Sequence, residues 1–332
     1  MHTLLLIDDD PDVLATLRRS FRKGYTVLTA INGDEGIALL NEQAVDLIIC
    51  DQRMPGTTGN QVLQHALQRQ PKAIRILLTG YADMEALMAC VNDAHIYKYV
   101  TKPWEPHDLN MTVIRALESY DLQGKLDEAH SMLESAYKDA VTMLCVAAEG
   151  KDEDTGSHLL RVQHYTEALV IAMGIGKQDA EHIGLMSMLH DIGKLFVPDA
   201  VLKKKSALTD DEWLLMKQHP LAGERILGKN SFYKAAREIA AGHHEKFDGT
   251  GYPNGLKGDE IPLSARIVKV ADVFDALTTV RPYKEAWTMV EAMAFIEADK
   301  GIQFDPDVVD QLKKLFDNGT LWYDNDSFIF GP

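Results

Sequence analysis

The sequence predicts an α/β domain built on a doubly wound, five-stranded parallel sheet, joined by a long helix to an all-α domain. Three observations carry that prediction. Short β-branched apolar runs alternate with helical patterns from residue 3 to about 118; residues 105–150 keep apolar positions at helical spacing; and the helical period then persists to about residue 318, broken by one loop. A chain of 332 residues, 46% of them apolar, has material for two hydrophobic cores.

The predicted strands are residues 3–7, 26–29, 47–50, 74–78 and 96–100. Strands separated by amphipathic helices need crossover connections, so the sheet should be parallel, covered on both faces, with its site at the strand carboxyl ends. The stripe that follows includes Leu109, Val113, Leu117, Leu122, Leu126, Met132, Leu133, Tyr137 and Val141, with Gly124 its single breaker, and predicts one long helix or two. The expected organisation is a first domain over 1–120, a helical connector over 121–145 and a second domain over 146–332. The loop over 247–262 is rich in Gly, Pro, Asp and Asn.

With 34 basic and 50 acidic side chains the net charge is −16, which argues against a protein that coats nucleic acid. Cys50, Cys90 and Cys145 lie in apolar runs without zinc or disulfide spacing and read as reduced core residues. Residues 1–7 lack a signal-peptide pattern and no window is apolar enough to span a bilayer, so a cytoplasmic location without membrane insertion is expected.

Asp8 and Asp9 follow the first strand, Asp51 the third, Thr79 the fourth and Lys102 the fifth, and a doubly wound sheet brings these positions together. Clustered carboxylates repel one another unless a hard cation such as Mg2+ intervenes. Lys102 and the Thr79 hydroxyl would then pair with a phosphoryl group arriving at Asp51. The strings IDDDP, CDQRMPG, LLTG and YVTKP resemble the receiver domain of two-component response regulators, over residues 1 to about 120. The resemblance implies a flavodoxin-like fold, Asp51 as phosphoacceptor, a partner histidine kinase, Asp8 and Asp9 in the Mg2+ pocket, and Tyr99 as an aromatic that rotates on activation.

Of twelve histidines, seven lie between 158 and 244, five of them within DTGSH, HDIGK, KQHP and HHE. Imidazole with carboxylate suits Fe, Mn or Zn, and His158, His190, Asp191, His219, His243, His244 and Asp272 supply seven donors. If His190 and Asp191 are helical, adjacent side chains about 100° apart let the carboxylate bridge two ions while the imidazole binds one. Asp154, four residues before His158, is a candidate eighth ligand, and Lys194 adds positive charge. Paired metals activate water and neutralise phosphoryl charge, the chemistry of phosphodiester hydrolysis. Isolated His164 and His182 read as packing or surface residues.

These residues resemble the HD superfamily of metal phosphohydrolases, and HHEKFDGTGYPNGLKGDEIP followed by ARIVKVADVFDALTTVRPYK resembles its HD-GYP subfamily, over about residues 145–315. The resemblance implies hydrolysis of cyclic di-GMP to pGpG and onward to GMP, with two or three divalent ions, iron foremost and manganese next. It implies a signature loop at Gly251, Tyr252 and Pro253, catalytic roles for Asp191, Lys194 and Asp275, and substrate contacts from Lys194, Tyr252, Arg281 and Lys284. Asp154 departs from the glutamate common in members with a third metal, which leaves the third site open. A module that binds the dinucleotide without cleaving it, or a phosphodiesterase for another cyclic dinucleotide, fits the same residues. The stripe on the long helix exceeds what one domain can cover and predicts a homodimer.

Overall fold

The apolar runs of the N-terminal third form one sheet. A computed structural model describes residues 1–80, 94–149, 157–280 and 286–320. Strands β1 (Thr3–Ile7), β2 (Thr26–Ala30), β3 (Leu47–Asp51), β4 (Ile74–Thr79) and β5 (Lys98–Thr101) lie in the order β2-β1-β3-β4-β5, and every pairing is parallel. Helices α1 (Pro11–Phe21), α2 (Gly33–Glu42) and α3 (Gly59–Arg69) follow the first three strands. Because side chains alternate across a sheet, β1 sends Leu4 and Leu6 into one core with Leu14 and Leu17 of α1, and Leu5 and Ile7 into another with Leu40 and Val62 of α2 and α3. Both faces are covered, so the central strands are apolar throughout rather than alternating.

Four strands fall within a residue of the expected positions; the fifth begins later than residue 96. Arg75 of β4 explains the shift. Its guanidinium is bonded to the carbonyls of Ala94 and His95, which holds the chain in a turn, and pairing starts only at Ile76 opposite Lys98.

Helix α4 (Pro106–Glu149) runs unbroken for 44 residues, with Gly124 inside it. The chain divides into two compact units, Met1–Leu133 and Glu134–Pro332, so the division falls within this helix. At its start Leu109, Val113 and Leu117 complete the core beside α1; at its end Val141, Cys145 and Ala148 enter the core of the second unit.

The second unit is helical. It comprises α5 (Ser157–Ala172), α6 (Lys177–Ser187), α7 (Asp199–Leu202), α8 (Asp210–Met216), α9 (His219–Leu227), α10 (Lys234–Gly242), α11 (Leu263–Thr278), α12 (Met289–Ala298) and α13 (Pro306–Asp317), with 3-10 turns at Ile192–Phe196, Ser231–Tyr233 and Gly258–Glu260. Its core is centred on Phe274 of α11, packed edge-on to Tyr165 of α5 at 5.4 Å. Complete burial of such a ring stabilises by about 2–3 kcal/mol. Among the described residues no helix is long and apolar enough to cross a membrane. Asp154, Arg281, Lys284 and Cys90 lie outside the described residues.

Candidate metal centre

The parallel sheet delivers its polar residues to one edge. Asp8 follows β1, Asp51 ends β3, Thr79 ends β4 and Lys102 follows β5. Carboxylate oxygens of Asp8, Asp9 and Asp51 lie within 4.8 Å of one another. The Lys102 ammonium stands 2.8 Å from Asp8 Oδ2 and 2.5 Å from Asp51 Oδ1. Burial, aided by the neighbouring Asp8, pushes the Asp51 carboxyl up despite Lys102. One ammonium against three carboxylates, two of them buried, leaves negative charge at the oxygen cluster, a donor set that fits Mg2+. Thr79 is buried beside this cluster's strand ends, whereas Tyr99 on β5 is exposed.

In the second unit the histidines converge from separate helices into two groups. His158 of α5, His190 after α6 and Asp272 of α11 form one; His219 at the start of α9, His243 and His244 after α10, with Asp191, form the other. Asp191 joins them. Its Oδ2 lies 3.3 Å from His190 Nε2, while its Oδ1 lies 3.2 Å from His219 Nε2 and 3.5 Å from His243 Nε2. Asp272 Oδ1 stands 3.6 Å from His158 Nε2 and 3.9 Å from His190 Nε2.

The rings are held by their other nitrogens. Nδ1 of His190 faces the Ser187 carbonyl at 2.9 Å, that of His219 the Met216 carbonyl at 2.8 Å, and that of His243 the Ile239 and Ala240 carbonyls, each at 3.1 Å. Such bonds place the proton on Nδ1 and leave the Nε2 lone pair for a cation. His190 Nε2 and Asp191 Oδ1 are buried without a hydrogen-bond partner, so the donor set fits metal ions. The fold requires Gly193 here, because a Cβ at that position would sit 1.9 Å from the His219 carbonyl oxygen.

His190 and Asp191 do not lie in a helix. Three-residue turns, closed by Met188 N to Leu185 O, Leu189 N to Met186 O and His190 N to Ser187 O, carry the chain from α6 into the Ile192–Phe196 turn. The carboxylate still reaches both groups.

A response regulator receiver domain matches residues 4–114 and an HD domain matches residues 142–308. The chain is 37% identical over 327 residues to the cyclic di-GMP phosphodiesterase response regulator RpfG of Xanthomonas campestris, covering 93% of this chain and 86% of that protein. It is 32% identical over 335 residues to a cyclic di-GMP phosphodiesterase of Thermotoga maritima, covering 94% and 90%. The chain belongs to the HD-domain response regulators. A further relative, 42% identical over 187 residues and covering 56% of this chain and 36% of its own, is the 3'3'-cGAMP-specific phosphodiesterase 2 of Vibrio cholerae. The HD domain is a metal-dependent hydrolase fold, and this response regulator carries the donor clusters such a fold uses.

The centre of this HD-domain response regulator is electrostatically poised for cations. Burial alone would raise the Asp191 carboxyl, yet Lys194, 2.8 Å away, with His190 and His219, holds it well below the usual carboxylate range. Burial also opposes charge on His190, but Asp191 and Asp272 together push it up to about 9. Burial lowers His243 and His244 and raises the Tyr252 phenol to about 12. The Tyr252 ring stacks on His244 at 4.7 Å, and the cavity they line, about 370 Å³, also exposes Lys194 and Asp272. Glu245 steadies the loop by accepting the Asn254 N–H at 2.7 Å, and a Cβ on Gly251 would meet the Lys246 nitrogen at 2.2 Å.

Asp275 is 1% exposed and packs against the His158 ring. Its Oδ2 bonds His158 Nδ1 at 2.6 Å, and Arg161 grips both oxygens at 2.5 and 3.0 Å. It orients a ligand. Arg161, one helical turn beyond His158, and Lys269, three residues before Asp272, went unnoticed in the sequence; the helical spacing from candidate ligands was the available signal for both.

Proposed function

We propose that this response regulator is a phosphodiesterase that hydrolyses cyclic di-GMP to pGpG and then GMP. The observation that carries the reading is the Asp191 carboxylate, whose two oxygens face separate histidine groups, as a ligand shared between two ions would. Divalent ions, with iron first and manganese second, would be held by His158, His190 and Asp272 on one side and His219, His243 and His244 on the other. When bound they supply water activation and charge neutralisation at the phosphoryl oxygens. Asp154 is the ligand we assign to a third ion.

Around that centre Lys194 adds a point charge for a phosphoryl oxygen, and Tyr252, neutral at physiological pH, offers a hydroxyl donor and a stacking face. Arg281 and Lys284 are assigned to substrate phosphates, where the planar guanidinium suits paired oxygens. The similarity to RpfG over 93% of the chain supports cyclic di-GMP; the similarity to a 3'3'-cGAMP-specific enzyme over 187 residues supports a second reading, in which the mixed dinucleotide is the substrate.

We assign 1–120 to the receiver, 121–145 to the connector and 146–332 to the HD-GYP domain, in a cytoplasmic homodimer that accepts phosphate on Asp51 from a histidine kinase. Control passes through α4, whose first turns pack in the receiver core and whose Cys145 and Ala148 line the metal cavity. Chromatography of products from cyclic di-GMP and 3'3'-cGAMP, offered separately and in competition, tests the substrate. Preferential loss of cyclic di-GMP supports the first reading, preferential loss of 3'3'-cGAMP the second, and loss of neither overturns both.

A further inference from the structure

A second groove adjoins the metal cavity. It encloses about 660 Å³ and shares Trp213, His244 and Tyr252 with the cavity that holds the donor groups, so the two meet across the Tyr252 ring. Its own lining carries Lys217, Lys246 and Lys269, with Asp210 the single acid among its lining residues. In a chain of net charge −16, that local excess of positive charge is a selective feature.

Lys269 decides what the groove takes. It is 7% exposed, and its ammonium has one hydrogen bond, to the His243 carbonyl at the long distance of 3.5 Å. No carboxylate oxygen among the described residues lies within ion-pair distance of it. Asp272 and Glu245 act on it only at longer range, and a buried ammonium without a direct carboxylate partner is one that an anion in the groove would stabilise. Lys217 sits over the Tyr252 ring at 5.4 Å, which brings a second cation to the mouth of the groove. Trp213, half exposed at the boundary of both cavities, presents an aromatic face of the kind on which bases stack.

Resting on the cyclic-dinucleotide reading above, we propose that this groove binds the half of the substrate that is not being cleaved: Lys269, with Lys217 and Lys246, holds the second phosphodiester, and Trp213 stacks on its base. A cyclic dinucleotide has two phosphodiesters, and the metal centre engages one at a time. A single-phosphate diester would fill the centre alone and leave the groove empty.

The test compares the full-length, metal-loaded protein with Lys269→Met, which keeps the apolar stem and removes the charge. Calorimetric Kd values for cyclic di-GMP and 3'3'-cGAMP, kcat and KM for each, and kcat/KM for bis(p-nitrophenyl) phosphate are measured together with melting temperature. The expected result is a dinucleotide Kd and KM raised about tenfold, the scale of one lost charge-assisted hydrogen bond. The loss of kcat/KM for the single diester should be at least several-fold smaller, with melting temperature unchanged or higher. Lys217→Ala should weaken dinucleotide binding by a smaller factor. Parallel losses on both substrate types would make Lys269 a support of the metal centre and overturn the proposal, as would unchanged dinucleotide binding. If the wild type binds dinucleotides without cleaving them, the phosphodiesterase reading fails, while a weaker Kd in Lys269→Met still supports the groove. If it binds neither dinucleotide, both fail.

Discussion

Asp275 shows how a buried acid acts at a distance from the chemistry. It fixes the His158 ring through a 2.6 Å bond and is itself fixed by Arg161. Asp275→Asn should therefore weaken metal affinity by about 10–100-fold, the usual cost of losing a ligand's orienting partner. Metal titration of the apo-protein checks this, and activity restored to wild-type level by excess metal distinguishes positioning from direct catalysis. In the receiver, burial raises the folded-state pKa of Asp51 above the unfolded value of 3.8. Between those two values the folded chain retains a proton that the unfolded chain has lost, so wild-type stability falls with rising pH and the deficit is full at neutrality. Metal-free Asp51→Asn should accordingly gain stability over wild type as pH rises from 4 to 7, as chemical denaturation at each pH would show. The clustering of the candidate histidines was legible because five of them fall within short motifs that also contain an acid or a lysine. Arg161 and Lys269 were not singled out, because their surroundings depend on which side of a helix they occupy once α5 and α11 are packed together.

At the scale of elements, strand periodicity was readable because both faces of the sheet are buried and β-branched runs mark each strand. The start of β5 was not, since it depends on Arg75 reaching across to the Ala94 and His95 carbonyls. The turn carrying His190 and Asp191 was also hidden: the residues leading into it, Leu185, Met186, Met188 and Leu189, are helix-compatible, and Gly193 permits the close approach of α9 beside it. Helix α4 was visible as a stripe, and a narrower seam on the same helix, which shares only Leu122, Leu126 and Leu133 with that stripe, yields a prediction. Leu122, Leu126, Ala129, Leu133, Ala136, Ala140 and Met143 alternate at spacings of four and three residues, and Leu126 and Leu133 are 62% and 69% exposed. Asp127, Glu128, Glu134 and Lys138 occupy the opposite side. This is the pattern of a two-stranded coiled coil. Leu126→Glu with Leu133→Glu should convert a dimeric wild type to monomer in sedimentation velocity; a wild type that sediments as monomer at every concentration would refute the pairing.

For the whole molecule, two compact units share one helix, and on the proposed reading that helix is where phosphorylation and hydrolysis are coupled. Leu109, Val113 and Leu117 are fixed in the receiver core, while Cys145 and Ala148 form wall of the cavity that holds the donor groups. A rotation or shift of the helix would move Cys145 and Ala148, which belong both to that wall and to the core of the second unit, and would so carry a change at Asp51 to the cavity. All of this depends on the two histidine groups acting together through Asp191. The most direct measurement is cyclic di-GMP turnover by protein reconstituted anaerobically with iron or manganese, with bound metal counted by elemental analysis, beside Asp191→Asn. The account predicts at least two ions per wild-type chain with pGpG and GMP as products, and in the variant fewer ions and turnover lower by roughly a thousandfold or more, the scale on which essential catalytic machinery acts. A wild type that binds the dinucleotide intact under both metals, or an Asp191→Asn variant that keeps its metals and its turnover, would contradict it.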